Sequence, residues 1–260
     1  MRLIDSHAHL QAEAFKTDRD VVLAAARDAG VERILVPGWD LESSRRSIAL
    51  AEEFPLDASA GIHPHDASRY LEDFPRIAEL AVDPWVVAIG ETGLDYDRAF
   101  SPREDQLLNL RRHLTLAGEL GKPAILHCRS KPDQRAAQDD LLREIEAAGR
   151  PPAILHSFSG PIDYAERALE MGLAISFSGL AFRTGEEATA EVARLVPADR
   201  LLIETDSPYL SPPGAPKRRN EPLWVGITAR WLAEQRADDA TYLGEQLVAN
   251  YDRVFSRRPT

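Results

Sequence analysis

The chain has 260 residues, 44% of them hydrophobic and 28% charged, and a formal net charge of −11 at pH 7. That length suits one large α/β barrel as well as two small domains, and the composition is that of a globular protein with a sizeable core. No apolar run approaches the roughly 18 residues of a membrane span, the acidic balance excludes a broad basic surface that coats nucleic acid, and the lone Cys128 excludes an intramolecular disulfide framework.

In chain order, the N-terminus enters a strand-like segment, Leu3-Ile4-Asp5, with no secretory leader pattern. Together with the single cysteine this predicts a cytoplasmic protein. Short β-branched runs ending in polar or glycine residues follow at 3–5, 33–37, 57–61, 86–90, 123–127, 153–156, 173–177 and 201–204. Their spacing, roughly 20 to 37 residues, is the repeat of a βα unit. Between them, Gly30 closes a first helix. Leu107, Leu110, Leu114 and Ala117 make a helical stripe that Gly121 ends, and Pro161 opens a helix that Gly172 closes. Pro212-Pro213-Gly214-Ala215-Pro216 reads as a long loop after the eighth strand. No linker or shift of composition interrupts the alternation, so the expectation is a single (β/α)8 TIM barrel filling 1–260 as one domain.

Barrel enzymes place their chemistry at the C-terminal ends of the strands. Strand one ends in Asp5-Ser6-His7-Ala8-His9, strand three runs into His63-Pro64-His65-Asp66, and strand four into Glu91-Thr92-Gly93-Leu94-Asp95. Strands five, six and eight end at His127, His156 and Glu204-Thr205-Asp206. Six of the seven histidines therefore sit at predicted strand ends, and only His113 falls within a helix, where it is expected on the helix flank. Residues i and i+2 of a strand share a face, so His7 and His9 can face one ion. Glu91, His127, His156 and Asp206 add enough nitrogen and oxygen donors for two divalent cations, with a carboxylate such as Glu91 able to bridge them. His65 and Asp66 read as helix caps, Asp206 has a second reading as a cap or Asx turn before Ser207-Pro208, and Cys128 is expected to face the core.

His7-Ala8-His9, Gly61-Ile62-His63-Pro64-His65, Gly90-Glu91-Thr92-Gly93-Leu94-Asp95, His127-Cys128-Arg129, His156-Ser157-Phe158-Ser159-Gly160, Glu204-Thr205-Asp206-Ser207-Pro208-Tyr209-Leu210 and Arg219-Asn220-Glu221-Pro222 stand in this order along the chain. Together they resemble the successive motifs of the TatD family of metal-dependent deoxyribonucleases. The resemblance implies that His7, His9, Glu91 and Asp206 hold one metal and that Glu91, His127 and His156 hold the second. It makes Asp206 the metal-site acid, and Glu204 and His63 active-site residues that do not bind metal directly. Two positions depart from the family pattern. Ser130-Lys131 stands where an acidic residue is usual, and Phe182-Arg183 where Phe-Lys is frequent.

Phosphodiester hydrolysis, as a 3′–5′ exodeoxyribonuclease acting on single-stranded DNA ends, fits these parts. Glu91 and Asp206 serve the reacting water, and Arg129, Arg183, Arg219 and the neighbouring Lys217-Arg218 are the candidate phosphate contacts. Two divalent ions are expected; the donor set accepts zinc, manganese, nickel or, less readily, magnesium. No membrane or obligate protein partner is expected. Two other readings share the same residues: a deacylase or esterase of the same barrel superfamily, such as one acting on D-aminoacyl-tRNA, and a metal-stabilised binding protein without turnover.

Overall fold

The computed structural model describes Met1–Ser256, so residues 257–260 of the expected domain lie outside the described residues. Eight strands form one parallel sheet in chain order: β1 (Leu3–Asp5), β2 (Val31–Val36), β3 (Asp57–Ala60), β4 (Val86–Asp95), β5 (Ala124–Arg129), β6 (Ala153–Leu155), β7 (Ala174–Phe177) and β8 (Leu201–Ile203). Helices α1 (Arg19–Asp28), α2 (Leu41–Glu53), α3 (Tyr70–Leu80), α4 (Arg103–Leu120), α5 (Ala136–Ala147), α6 (Ile162–Glu170) and α7 (Ala188–Leu195) alternate with them, and α8 (Val225–Arg236) and α9 (Ala240–Val254) follow β8. This is the (β/α)8, TIM-barrel-like α/β fold. Each predicted strand is present, within two residues at its ends except at β4. Among the described residues no helix is long and apolar enough to cross a membrane.

The chain divides into two compact units. The first comprises Met1–Val36, His156–Leu169 and Ala174–Ser256. Here β1 pairs with β2, β7 pairs with β8, and β8 meets β1 through a bond from Ser6 N–H to the Ile203 carbonyl (3.0 Å) and the parallel bridge Ala8–Ser207. Helices α8 and α9 lie against β1 and β8, burying Ala229, Leu232, Leu243 and Leu247. Removal of such aliphatic surface from water, about 25 cal/mol per Å2, drives this packing.

The second unit comprises Pro37–Leu155 and Glu170–Leu173. It contains β3 to β6 in parallel register, with α4 packed on β4. The expected stripe on α4 is buried at Leu110, Leu114 and Ala117, whereas Leu107 is half-buried; the polar Gln106, Asn109 and His113 share the buried face. Gly121 ends the helix in the left-handed conformation, φ 61°. β4 continues five residues beyond its predicted end at Gly90. There its register against β5 slips between Ile89 and Thr92, and Glu91 N–H turns to the Gly38 carbonyl (2.6 Å). Two glycines permit this. Gly90 and Gly93 have φ of 132° and 139°, and a Cβ at either would lie 2.6 Å from the Ile125 carbonyl oxygen or 2.0 Å from that of His127. The slip carries Glu91 and Asp95 into the polar end of the strand.

Candidate metal centre

In the first unit, the end of β1 and the end of β8 are tied by Asp5. Its carboxylate accepts from Thr205 Oγ1 (2.6 Å), Thr205 N (2.9 Å) and His7 N (3.3 Å). Burial pushes Asp5 up to about 8 against these bonds. The return chain is fixed as well: Asp206 N bonds the His7 carbonyl (2.9 Å) and His9 N the Ser207 carbonyl (2.8 Å). Both loops therefore present their side chains from a locked backbone. His7 Nε2 and His9 Nε2 lie 3.2 Å apart, and Asp206 Oδ1 is 3.2 Å from His9 Nε2 and 3.8 Å from His7 Nε2. Burial opposes ionisation of Asp206, but the hydrogen bond from His9 and the imidazoles around it outweigh burial and hold its carboxyl below the ordinary range. The His156 ring stacks on His7 with centroids 4.0 Å apart. Its Nδ1–H donates to Glu204 Oε1 (3.0 Å), whose other oxygen takes the Ser6 hydroxyl (3.4 Å). With Nδ1 protonated in that bond, His156 Nε2 carries the lone pair.

The second unit builds its group on Glu91. Glu91 Oε1 is 3.2 Å from His63 Nε2 and 3.4 Å from His127 Nδ1. The tautomers follow from the other ring nitrogens. His63 Nδ1 accepts from His65 N–H (3.1 Å), capping the 3-10 turn Pro64–Arg69, so its Nε2–H donates to Glu91. His127 Nε2 bonds Asp95 Oδ2 (3.3 Å), and in the neutral ring with that nitrogen protonated Nδ1 carries the lone pair on the side of Glu91. Burial pulls His63 down to about 4 and keeps it neutral. Burial also works against ionising Asp95, yet hydrogen bonds from His127 and His65 prevail and hold it well below the usual carboxylate range.

The donor chemistry fits divalent metal. Ligand atoms at 2.0–2.1 Å around a tetrahedral ion lie about 3.3 Å apart. The separations 3.2 Å (His7–His9), 3.2 Å (His9–Asp206) and 3.4 Å (Glu91–His127) match that spacing. His7, His156 and Glu204, and likewise His63, Glu91 and His127, offer ligand atoms all within 4.8 Å of one another. These buried His/carboxylate clusters are consistent with metal sites.

The remaining expected residues are more scattered. Arg129 is half-buried at the end of β5, and Arg183, Lys217 and Arg218 are exposed. Arg219, expected at the substrate, is engaged elsewhere. Its guanidinium bonds Asp18 through both terminal nitrogens (2.8 and 2.7 Å), Glu221 (2.7 Å) and the Ala14 carbonyl (2.7 Å), and it lies over the Phe15 ring. His113 is a core residue and not a flank residue, accepting from Ile62 N at Nε2 (3.1 Å) and donating from Nδ1 to the Asn109 carbonyl (2.9 Å). Cys128 is half-buried and does not join the core. His65 pairs with Asp95 (2.9 Å) and does not cap a helix; the cap is His63. Asp5, Asp95 and the fully buried Asn220, which holds the Thr205 and Tyr209 carbonyls (2.9 and 2.8 Å), were not among the expected site residues. Asp5 had a signal, lying two residues before His7 on the same strand face.

A parallel β/α fold with buried histidine–carboxylate clusters at the C-terminal ends of its strands defines a metal-dependent hydrolase of the amidohydrolase-like kind. The chain belongs to the TatD-related DNase family, whose sequence model matches residues 4–256. It is 37% identical to the 3′-5′ ssDNA/RNA exonuclease TatD of Pectobacterium parmentieri, over 97% of this chain and 99% of that protein. Among solved structures it is similar to YJJV, a TatD homologue from Escherichia coli K12 (TM-score 0.85, 30% identity, 99% of both chains). The TatD family hydrolase of Entamoeba histolytica shares the fold (TM-score 0.88, 23% identity, 99% of both chains).

Proposed function

We propose that the protein is a metal-dependent 3′–5′ exonuclease of single-stranded nucleic acid, working as one domain and in the cytoplasm. The observation that carries this reading is the ligand-spaced set of donors, His7, His9 and Asp206 in one unit and Glu91 and His127 in the other. The name of the Pectobacterium relative supplies the polarity and the single-stranded substrate. His7, His9, Glu91, His127, His156 and Asp206 would hold two divalent ions, with Glu91 common to both. When bound, such ions polarise a phosphoryl oxygen and make a water acidic enough to attack phosphorus near neutral pH.

The chain's own residues do the rest. Asp206, fixed by its backbone bond to His7, takes the proton of the attacking water. Glu204 and Asp95 orient the rings of His156 and His127 through one nitrogen of each. His63 donates to Glu91 and fixes its carboxylate plane. Arg129 and Arg183, with Lys217 and Arg218, meet phosphates; Arg219 braces the loop that carries Lys217 and Arg218.

The test is metal analysis of the purified protein with a panel of single-stranded DNA, RNA, duplex and circular single-stranded DNA. Chelation is expected to abolish 3′-end trimming of the linear single strands, and returning a divalent ion to restore it. Undiminished trimming after verified metal removal would overturn the reading, as would cleavage of the closed circle.

A further inference from the structure

Charge alone does not distinguish a base-bearing strand from any other polyanion, so recognising nucleic acid calls for contacts to the bases. Two exposed rings answer that need. Eight large hydrophobic side chains are exposed among the described residues, and the rings of just two of them, Phe100 and Tyr209, abut histidines named above.

Phe100 is 66% exposed, and its ring meets that of His65 edge to face with centroids 4.7 Å apart. Its loop is rigidly pinned. Asp95 Oδ1 accepts from Asp97 N (3.1 Å) and Arg98 N (2.8 Å), and Gln106 Nε2 donates to the Asp95 and Ser101 carbonyls (3.1 and 2.8 Å). Ser101 Oγ donates to the His65 carbonyl (2.8 Å) and accepts from Ser68 N (3.1 Å). Tyr209 is arranged alike in the other unit. It is 59% exposed, its ring stands 5.8 Å from that of His9, and its backbone is held at both ends, N–H by the Asp206 carbonyl (2.8 Å) and C=O by Asn220 Nδ2 (2.8 Å).

We propose that Phe100, beside His65, and Tyr209, beside His9, are each a stacking platform for an unpaired nucleobase of the substrate strand. This rests on the reading of the site as a phosphodiesterase and adds what recognises the strand. An exposed ring presents a π face that any base can cover, so binding is tolerant of sequence. Bases inside a duplex have both faces occupied by neighbours, whereas an unpaired end offers a free face. Such platforms therefore favour single strands. Ring stacking ignores the sugar 2′-hydroxyl, so they accept DNA and RNA alike.

Phe100→Ala and Tyr209→Ala, each beside an aromatic exchange (Phe100→Tyr, Tyr209→Phe), are compared on two oligonucleotides of equal length and charge. One carries its bases and the other has abasic sugars at its last three 3′ positions. For the metal-loaded wild type the base-bearing strand should have the higher kcat/KM. Each alanine variant should shrink that preference about 5- to 160-fold, the effect of about 1–3 kcal/mol of stacking per base, and the aromatic exchanges should keep it. An equal change on both strands, or none, overturns the proposal.

A second readout needs no catalysis. A single strand ending in 2-aminopurine should lose fluorescence on binding the chelated wild-type protein and Phe100→Tyr, and keep it with Phe100→Ala. Equal quenching by all three overturns the Phe100 platform. If the wild type cleaves neither strand, the phosphodiesterase reading fails while the quenching still decides the stacking.

Discussion

The two units solve one problem differently. In the first, each carboxylate serves a separate imidazole: Glu204 takes His156 Nδ1 and Asp206 faces His9 Nε2. In the second, one oxygen of Asp95 takes both His65 and His127, while its other oxygen caps the loop leading to Phe100. The first arrangement isolates its histidines from the surface. Glu204 is fully buried, and its remaining oxygen is satisfied by a buried serine. The second couples a metal-side histidine to a surface loop, so a change at Asp95 should reach both the ion and the strand.

The largest effect expected belongs to Glu91, the carboxylate that both ions would share. Glu91→Ala should remove several kcal/mol of transition-state stabilisation, a loss of about a thousand-fold or more in kcat/KM. It should also lower metal content by more than His127→Ala or His156→Ala does. Metal counted in the folded variant decides the matter: two ions retained, with activity near wild type, would separate the two units' chemistry and end the shared assignment.

Asp95→Asn and Glu204→Gln come next. Groups that orient a ligand histidine typically alter metal affinity by about 10- to 100-fold. Glu204→Gln keeps an oxygen for His156, so it should fall at the low end. Asp95→Asn keeps one oxygen for the two imidazoles and the loop between them, so it should fall at the high end and also weaken binding of the single strand. Chelator-competition titrations give the affinities. Equal affinities in the two variants would remove the distinction between isolated and coupled carboxylates.

A third effect is confined to the second unit and concerns a histidine that binds no substrate. Burial pulls His113 down to about 4, below the ordinary 6.5 of an exposed histidine. The folded protein keeps it neutral while the unfolded chain takes up a proton below 6.5, so the stability it contributes is complete above 6.5 and is lost as pH falls toward 4. That window corresponds to about 3 kcal/mol, at 1.36 kcal/mol per pKa unit. His113→Gln lowers stability at every pH but should flatten its slope between pH 6.5 and 4. Denaturant titrations of the two metal-free proteins with parallel slopes would show that burial of His113 does not set the acid limit.

The barrel was legible because it repeats: each β-branched run and each closing glycine is a local signal, and eight of them set the fold class. The polar strand ends were legible as residue types. What the sequence concealed was set by contacts between distant segments. His113 read as a flank residue because nothing near it in sequence shows that Ile62 N–H would reach its ring. β4 read five residues short because its glycines, ordinary strand breakers, serve here as close-approach points against β5. Asp95 lay within a motif but carried no sign that two histidines would converge on it. Arg219 read as a phosphate contact because a run of three basic residues looks the same whether its charges face solvent or Asp18.

That last ambiguity gives the smallest and sharpest expected effect. A protein of net charge −11 can neutralise only a few phosphates, so binding of a cleavage-resistant single strand should depend weakly on salt, log K falling at about −0.7 per phosphate contacted. Arg129 belongs to the second unit and Arg183 to the first, the one half-buried and the other exposed. Arg129→Gln and Arg183→Gln should each lower the slope by about 0.7, one contact apiece. Arg219→Gln should leave the slope unchanged, because its guanidinium already answers Asp18 and Glu221, and should instead lower the melting temperature by freeing the loop around Asn220. Titrations at four or five salt concentrations separate these outcomes. A slope that drops with Arg219 and holds with Arg129 would move the phosphate contacts from the end of β5 to the tail loop, and the second unit would then serve the metal alone.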